Sequence, residues 1–316
     1  MYAEAAAAKP QPIPAHLRRI ADGAPGAEAA EALRAWRALR DAGHLLSANQ
    51  LAEFVARGVL SFPALIDQAF NREFIDWVAG GGSTGEGYVG EDLRTAWPAG
   101  SLVPRLLAMP QVAGIIASLV GPSPRFDHVA LHRVPAGRLL GQNWHADATI
   151  DPREDAFDLQ LMYFPHDLPA EMGGTMLLPG SHLRMVHEIS IARYQHFVGQ
   201  MPTICPAGTI HVLHHGIWHR ARGNATDRER LMFKIRLNPR WKQERLYAPG
   251  EHRSPEINGI LTRTEPWMGV EGRLEVINRI RLWRHLTGDP QFDARMWMGR
   301  LESRPQARIH PASGPE

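Results

Sequence analysis

The chain has a single cysteine, Cys205, among its 316 residues. One thiol excludes an internal disulfide and fits a reducing compartment. Lying just before Pro206, it reads as a small packing residue. A surplus of one charge is also missing. The 35 basic and 33 acidic residues leave a formal net charge of +2, so charge selects neither nucleic acid nor an anionic membrane. No stretch reaches the roughly 18 uncharged apolar residues that a spanning helix needs. The first residues (Met1-Tyr2-Ala3-Glu4, an alanine run, Lys9-Pro10) lack the basic-then-apolar order of a secretory signal. Residues 80–90 are rich in glycine but have no lysine of a nucleotide-binding loop, which argues for a mobile loop near a site mouth and against a phosphate cradle. These absences predict a soluble, cytoplasmic protein with no nucleic-acid or membrane partner, and they leave monomer and homodimer equally open.

A hydrophobic fraction of 44% is ample for a packed core. Residues 1–26, rich in Ala and Pro, predict a loose tail. Helical spacing of Ala30, Leu33, Trp36 and Leu39 predicts a helix over 27–42. Ser47-Ala48-Asn49-Gln50 is a capping box that opens a second helix ending at Gly58. A third helix is expected from Phe62 to Val78 with Pro63 in its first turn, and a fourth over 103–120, broken at Pro110. The texture then changes to short strands: Phe126 to Val134, Asp158 to Phe164, Thr175 to Leu178, Thr209 to Leu213 and Arg230 to Leu237. Helices return at 272–287 and 290–301, with Arg273, Arg279, Arg281 and Arg284 expected to face outward. Short strands with Gly and Pro turns indicate a sandwich or barrel that the helices cover on one side. The expected organisation is one catalytic domain over 27–316, comprising a helical part (27–124), a β core (125–239) and a helical extension (240–316).

The chemistry is concentrated in Gln142-Asn143-Trp144-His145-Ala146-Asp147. His145 and Asp147 are two apart, so an extended strand would turn both to one face. A third donor is needed for a facial grip, and His219, 74 residues on and just after the apolar run Thr209 to Leu213, is the candidate. Two imidazoles and one carboxylate with open positions suit a non-haem Fe(II) oxygenase. Arg230 follows His219 by 11 residues and begins an alternating run. Leu231, Phe233 and Ile235 form its apolar face, with Arg230, Met232, Lys234 and Arg236 opposite. That second face fits solvent, or a barrel lumen in which Arg230 holds a carboxylate through its guanidinium fork.

His145-x-Asp147, the segment Gly173-Gly174-Thr175-Met176-Leu177-Leu178-Pro179-Gly180-Ser181-His182, Trp218-His219, Asn224 and Arg230 together resemble the phytanoyl-CoA dioxygenase family, from about Ser47 to about Pro239. The resemblance implies a double-stranded β-helix (jelly-roll, cupin-like) core with helical additions at both ends. It implies an Fe(II)- and 2-oxoglutarate-dependent dioxygenase that uses O2 and forms succinate and CO2. His145, Asp147 and His219 would hold the iron, and Arg230 the distal carboxylate of 2-oxoglutarate. Halogenating relatives lack the carboxylate, so Asp147 points to hydroxylation or desaturation of an aliphatic C–H bond. The family often has a small hydroxylated residue two after the distal histidine; this chain has Ala221, for which Thr175 or His132 would compensate. His132 and Gln142 are candidates for the near carboxylate of 2-oxoglutarate, and one of His211, His214 and His215 for orienting a ligand. A non-catalytic metal-binding sensor or carrier and, more remotely, a zinc hydrolase are the competing readings.

Overall fold

The computed structural model describes residues 27–84, 91–92, 96–147, 156–184, 186, 188–194 and 196–293. The expected tail at 1–26, residues 85–90 of the glycine-rich loop and positions 294–301 of the last expected helix lie outside the described residues. Helix α1 spans Ala27–Asp41 and α2 Ala48–Arg57. The capping box forms as expected: Gln50 N–H donates to Ser47 Oγ at 3.2 Å, and Ser47 N–H donates to Gln50 Oε1 at 2.9 Å. Gly58 ends α2 at φ +71°, and a Cβ there would also sit 2.5 Å from His182 Nδ1, so both the backbone and the packing require glycine.

The expected helix from Phe62 begins later. Val59–Phe62 is strand β1, and α3 is Gln68–Ala79. The true cap is Asp67, whose Oδ1 accepts from Phe70 N–H at 2.8 Å, so Pro63 lies in the connecting turn and not in the helix. After β2 (Glu91–Asp92) the next helix divides at Pro110 into α4 (Leu102–Ala108) and α5 (Pro110–Val120). Strands β3 (Arg125–Val134), β4 (Leu159–Phe164) and β5 (Thr175–Leu177) follow, then the short α6 (Glu188–Ala192). Beyond it come β6 (Met201–Pro202), β7 (Thr209–His214), β8 (His219–Ala221), β9 (Arg230–Asn238), α7 (Pro255–Thr262) and α8 (Gly272–Thr287).

The strands form two antiparallel sheets: six strands in the order β1-β7-β4-β9-β3-β2, and three in the order β6-β5-β8. The architecture is mainly β with flanking helices, a jelly-roll core. One face of the large sheet is apolar: Leu161, Tyr163, Val212, Leu231, Phe233 and Ile235 pack with Phe54, Phe74, Leu106, Leu119 and Trp283 from the helices in the main core. Period-2 alternation therefore turns the polar face of β9 inward, toward the small sheet. A bulge in β3 refines this, because the register to β9 slips between Phe126 and His128. Phe126 and Val129 both enter the helix-covered core, while His128 and His132 line a cavity on the other side.

Arg279 is a correction. It is buried on α8, donating to the Arg263 and Leu261 carbonyls, because the helix packs this side against α7 and the turn that follows it. Arg273 and Arg281 are exposed as expected. Among the described residues no single helix is long and apolar enough to cross a membrane.

Two buried histidines bear on acid stability. His182 donates through Nε2 to the Val55 carbonyl at 3.1 Å, and its Nδ1 has no partner. Burial, helped by the charge of Arg279, pushes its pKa down to about 3. Burial alone pushes His211 down to about 4. Both rings are neutral in the folded state at pH 5–6, whereas the unfolded chain takes up protons below about 6.5. Stability should therefore fall as pH drops through 6.5 toward 4, by up to about 1.4 kcal/mol per pH unit for each histidine. Urea unfolding at pH 7.5, 6.5 and 5.5 measures this. A His182→Leu variant that folds should show a shallower slope.

Candidate metal centre

His145 lies on an isolated bridge and Asp147 on a bend, so the strand expected for this pair is absent. The convergence has another origin. His145 N–H donates to the His219 carbonyl at 3.0 Å, and His219 N–H donates back to the His145 carbonyl at 2.8 Å. This antiparallel exchange fixes the loop after β3 against β8, and β8 is paired in turn with β5, Leu177 opposite His219. The ring centroids are 4.4 Å apart. Ligand atoms of His145, Asp147 and His219 all lie within 4.8 Å of one another.

The donors fit a divalent metal. His145 Nδ1 lies 2.9 Å from the Asn143 carbonyl, and His219 Nδ1 lies 3.0 Å from that of Ile217. Each carbonyl needs an N–H, which assigns the proton to Nδ1 and leaves each Nε2 with a free lone pair. Those Nε2 atoms stand 3.7 and 3.6 Å from the same carboxylate oxygen, Asp147 Oδ1. Burial pushes the His219 pKa down to about 4, so this imidazole is neutral and able to ligate at neutral pH. For Asp147, burial favours the protonated acid, but His219 and Lys234 outweigh it and hold the carboxyl well below the usual range. His211, His214 and His215, from which a partner orienting a ligand or a packing residue is expected, have contacts elsewhere. His211 pairs with Ser61 Oγ at 2.7 Å, His215 bonds to the Asp158 backbone, and His214 stacks on Phe157, while backbone carbonyls hold the two candidate ligands.

A cavity of about 400 Å³ opens beside this cluster. All seven residues nominated from the sequence line it: His132, Gln142, His145, Asp147, Thr175, His219 and Arg230. Arg230 is 5% exposed and faces the lumen, not solvent. Its Nη1 donates to the carbonyls of Met172 at 2.8 Å and Arg222 at 3.0 Å, which anchors the fork. Burial, with the nearby Arg222, lowers its pKa to about 10, leaving it a cation at neutral pH. Thr175 is buried directly opposite Ala221 across the β5–β8 pair. The side-chain Oε1 of Gln142 accepts from Ala221 N–H at 3.2 Å, so it also serves as a clamp on β8. Lys234 and Gln160 were not nominated. Lys234 shares parity with Arg230 on β9, a signal present in the sequence, and Gln160 is the polar residue in an otherwise apolar β4.

Two imidazoles and a carboxylate at one side of a jelly-roll cavity, with a buried guanidinium lining the same cavity, form a donor set that suits mononuclear non-haem iron. Residues 99–232 match the family model of phytanoyl-CoA dioxygenase (PhyH). The match spans 134 of the 316 residues, so the similarity to that family is a property of this segment, which carries His145, Asp147, His219 and Arg230. No curated protein sequence matches it. Among solved structures, it is similar to iron-bound HygX from Streptomyces hygroscopicus, with 15% identity over 62% of this chain and 88% of that one and a TM-score of 0.49. EctD from S. alaskensis in its apo form shares 20% identity over 65% and 82% of the two chains, at a TM-score of 0.49. The non-haem α-ketoglutarate-dependent carbocyclase SnoK from nogalamycin biosynthesis shares 20% over 70% and 92%, at 0.48.

Gly173 provides a test of how Arg230 is seated. It has φ +85°, and a Cβ there would collide with the Gly223 carbonyl and lie 2.8 Å from Arg230 Nη1. Gly173→Ala should cost more than about 1 kcal/mol of stability in urea unfolding, because both the backbone region and the space are denied to alanine.

Proposed function

We propose that the protein hydroxylates or desaturates an aliphatic C–H bond of a small molecule, with 2-oxoglutarate converted to succinate and CO2. The observation that carries this reading is the convergence of two Nε2 atoms on one oxygen of Asp147, across the cavity from a buried, anchored arginine. His145 Nε2, Asp147 Oδ1 and His219 Nε2 would hold Fe(II), which supplies oxygen activation and hydrogen abstraction when bound with 2-oxoglutarate.

The remaining roles belong to the chain itself. Arg230 would fix the distal carboxylate of the co-substrate: its Nη1 is committed to carbonyls, while Nε and Nη2 remain for a charge-assisted contact. Thr175, His132 and the amide group of Gln142 line the same cavity and would contact the co-substrate's polar atoms. Met162, Phe164 and Met232 close the floor of the cavity and keep bulk water from the reacting C–H bond. Nδ1–H contacts to the backbone keep both imidazoles in the ligating tautomer throughout.

Purified protein supplied with Fe(II), 2-oxoglutarate and O2 should form succinate, and a chelator should stop it. His219→Ala and Asp147→Ala should reduce the rate to background. Arg230→Met should raise the KM for 2-oxoglutarate roughly 10- to 100-fold, the equivalent of a charge-assisted hydrogen bond worth about 1.5–3 kcal/mol. Undiminished succinate formation by His219→Ala would overturn the proposal. Binding of 2-oxoglutarate without any turnover would favour a sensor.

A further inference from the structure

We infer that Lys234 and Gln160 are positioning residues that hold Asp147 by one carboxylate oxygen, so that it offers a single oxygen to the metal. The inference rests on the proposed metal site and extends it. Lys234 Nζ donates to Asp147 Oδ2 at 2.6 Å, and Gln160 Nε2 donates to the same oxygen. The other oxygen, Oδ1, is the one that both imidazole Nε2 atoms approach. The carboxylate is thus divided: Oδ2 accepts from the protein, and Oδ1 faces the metal position.

The placement of the two donors is built into the large sheet. Lys234 on β9 pairs with Met162 on β4, and Gln160 on β4 pairs with Arg236 on β9. Two-residue parity brings Gln160 and Lys234 to one face as diagonal neighbours. Gln160 is fully buried and Lys234 nearly so. A buried ammonium with no counter-charge is costly, and an apolar residue would fill either place more cheaply. Among the described residues, the carboxylate that pairs with Lys234 is that of Asp147. Asp147 itself sits at the end of a bend, beyond the bridge that fixes His145, so its own backbone constrains it less than the two histidines are constrained.

The consequence concerns coordination number. A carboxylate chelating through both oxygens would take a position that 2-oxoglutarate or O2 needs. With Oδ2 occupied, three protein atoms would ligate the metal and three positions would be left for other ligands. Partners that orient a metal-bound carboxylate commonly contribute 10- to 100-fold in metal affinity.

The test is Mn(II) binding, read by counting free ion by electron paramagnetic resonance, together with the visible spectrum of the Co(II)-loaded protein. Lys234→Met and Gln160→Met should each weaken Mn(II) binding several-fold, and the double variant roughly 10- to 100-fold. The Co(II) band should shift toward the form given by a second carboxylate oxygen. In an Asp147→Ala background, Lys234→Met should change metal affinity less than twofold, since nothing remains for it to position. Parent-like affinity and spectrum in the folded double variant would overturn the inference, as would a melting temperature lowered without any change in either metal readout. If Lys234→Met does not fold, Gln160→Met, which strands no charge, decides alone by the same criteria. Failure of the parent to bind Mn(II) would instead remove the metal site itself.

Discussion

Two backbone hydrogen bonds, exchanged between His145 and His219, hold the site together. They join the loop after β3 to the small sheet, and so they set the distance between two imidazoles that are 74 residues apart in the chain. The approach of the rings is thus produced by main-chain pairing, which does not depend on a metal being present. Each ring is then turned by a second backbone contact, through Nδ1, with the carbonyl two residues before it. The same local device appears twice, on two segments of different secondary structure. The candidate ligand geometry is therefore a property of the folded chain, and binding a metal would need little rearrangement.

The large sheet supplies the other side. Its helix-covered face is apolar, and its lumen face carries Arg230, Lys234, Arg236 and Gln160. Burying so many donors is tolerable only because each is answered. Arg236 pairs with Asp127 at 2.6 and 3.0 Å, Lys234 with Asp147, and Arg230 Nη1 with two carbonyls. The part of Arg230 without such an answer is the part that faces the cavity. Burial favours a charge-assisted contact there, since an anion entering the cavity would meet a guanidinium already stripped of much of its water.

Most of this was legible in the chain because alternation is a strong signal. The 2-residue period of Arg230 to Leu237 separates core from lumen without reference to any neighbour, and both faces are found where it puts them. The capping box at Ser47 and the glycine at 58 are equally local, and both form. What was illegible depended on pairing. β1 looks like the start of a helix because Pro63 suits a first turn; only its partner β7, some 150 residues later, makes it a strand. The outward reading of Arg279 failed likewise, since its acceptors are carbonyls at the end of α7 and just after it, a helix–helix contact that the spacing within α8 does not encode. His145 and Asp147 were found by spacing, yet they converge through a bridge and a bend, not through a strand. Lys234 could be placed in the lumen by parity, but its contact with Asp147 is a matter of three dimensions.

The candidate ligands and the exposed rim of the cavity differ in how firmly the backbone holds them. His145, His219, Arg230, Lys234 and Gln160 are tied to paired strands or to the bridge, where a backbone shift would break a ladder. The mouth of the cavity is formed instead by the connection between β3 and the bridge, where Arg138 and Leu140 line the opening and Leu140 is 82% exposed. Substitution there changes what the cavity meets without disturbing a hydrogen-bonded strand. The rim lies on the same connection that the His145–His219 exchange anchors, so an exposed side chain such as Leu140 can vary while that backbone pairing, and the ligand positions it sets, stay fixed.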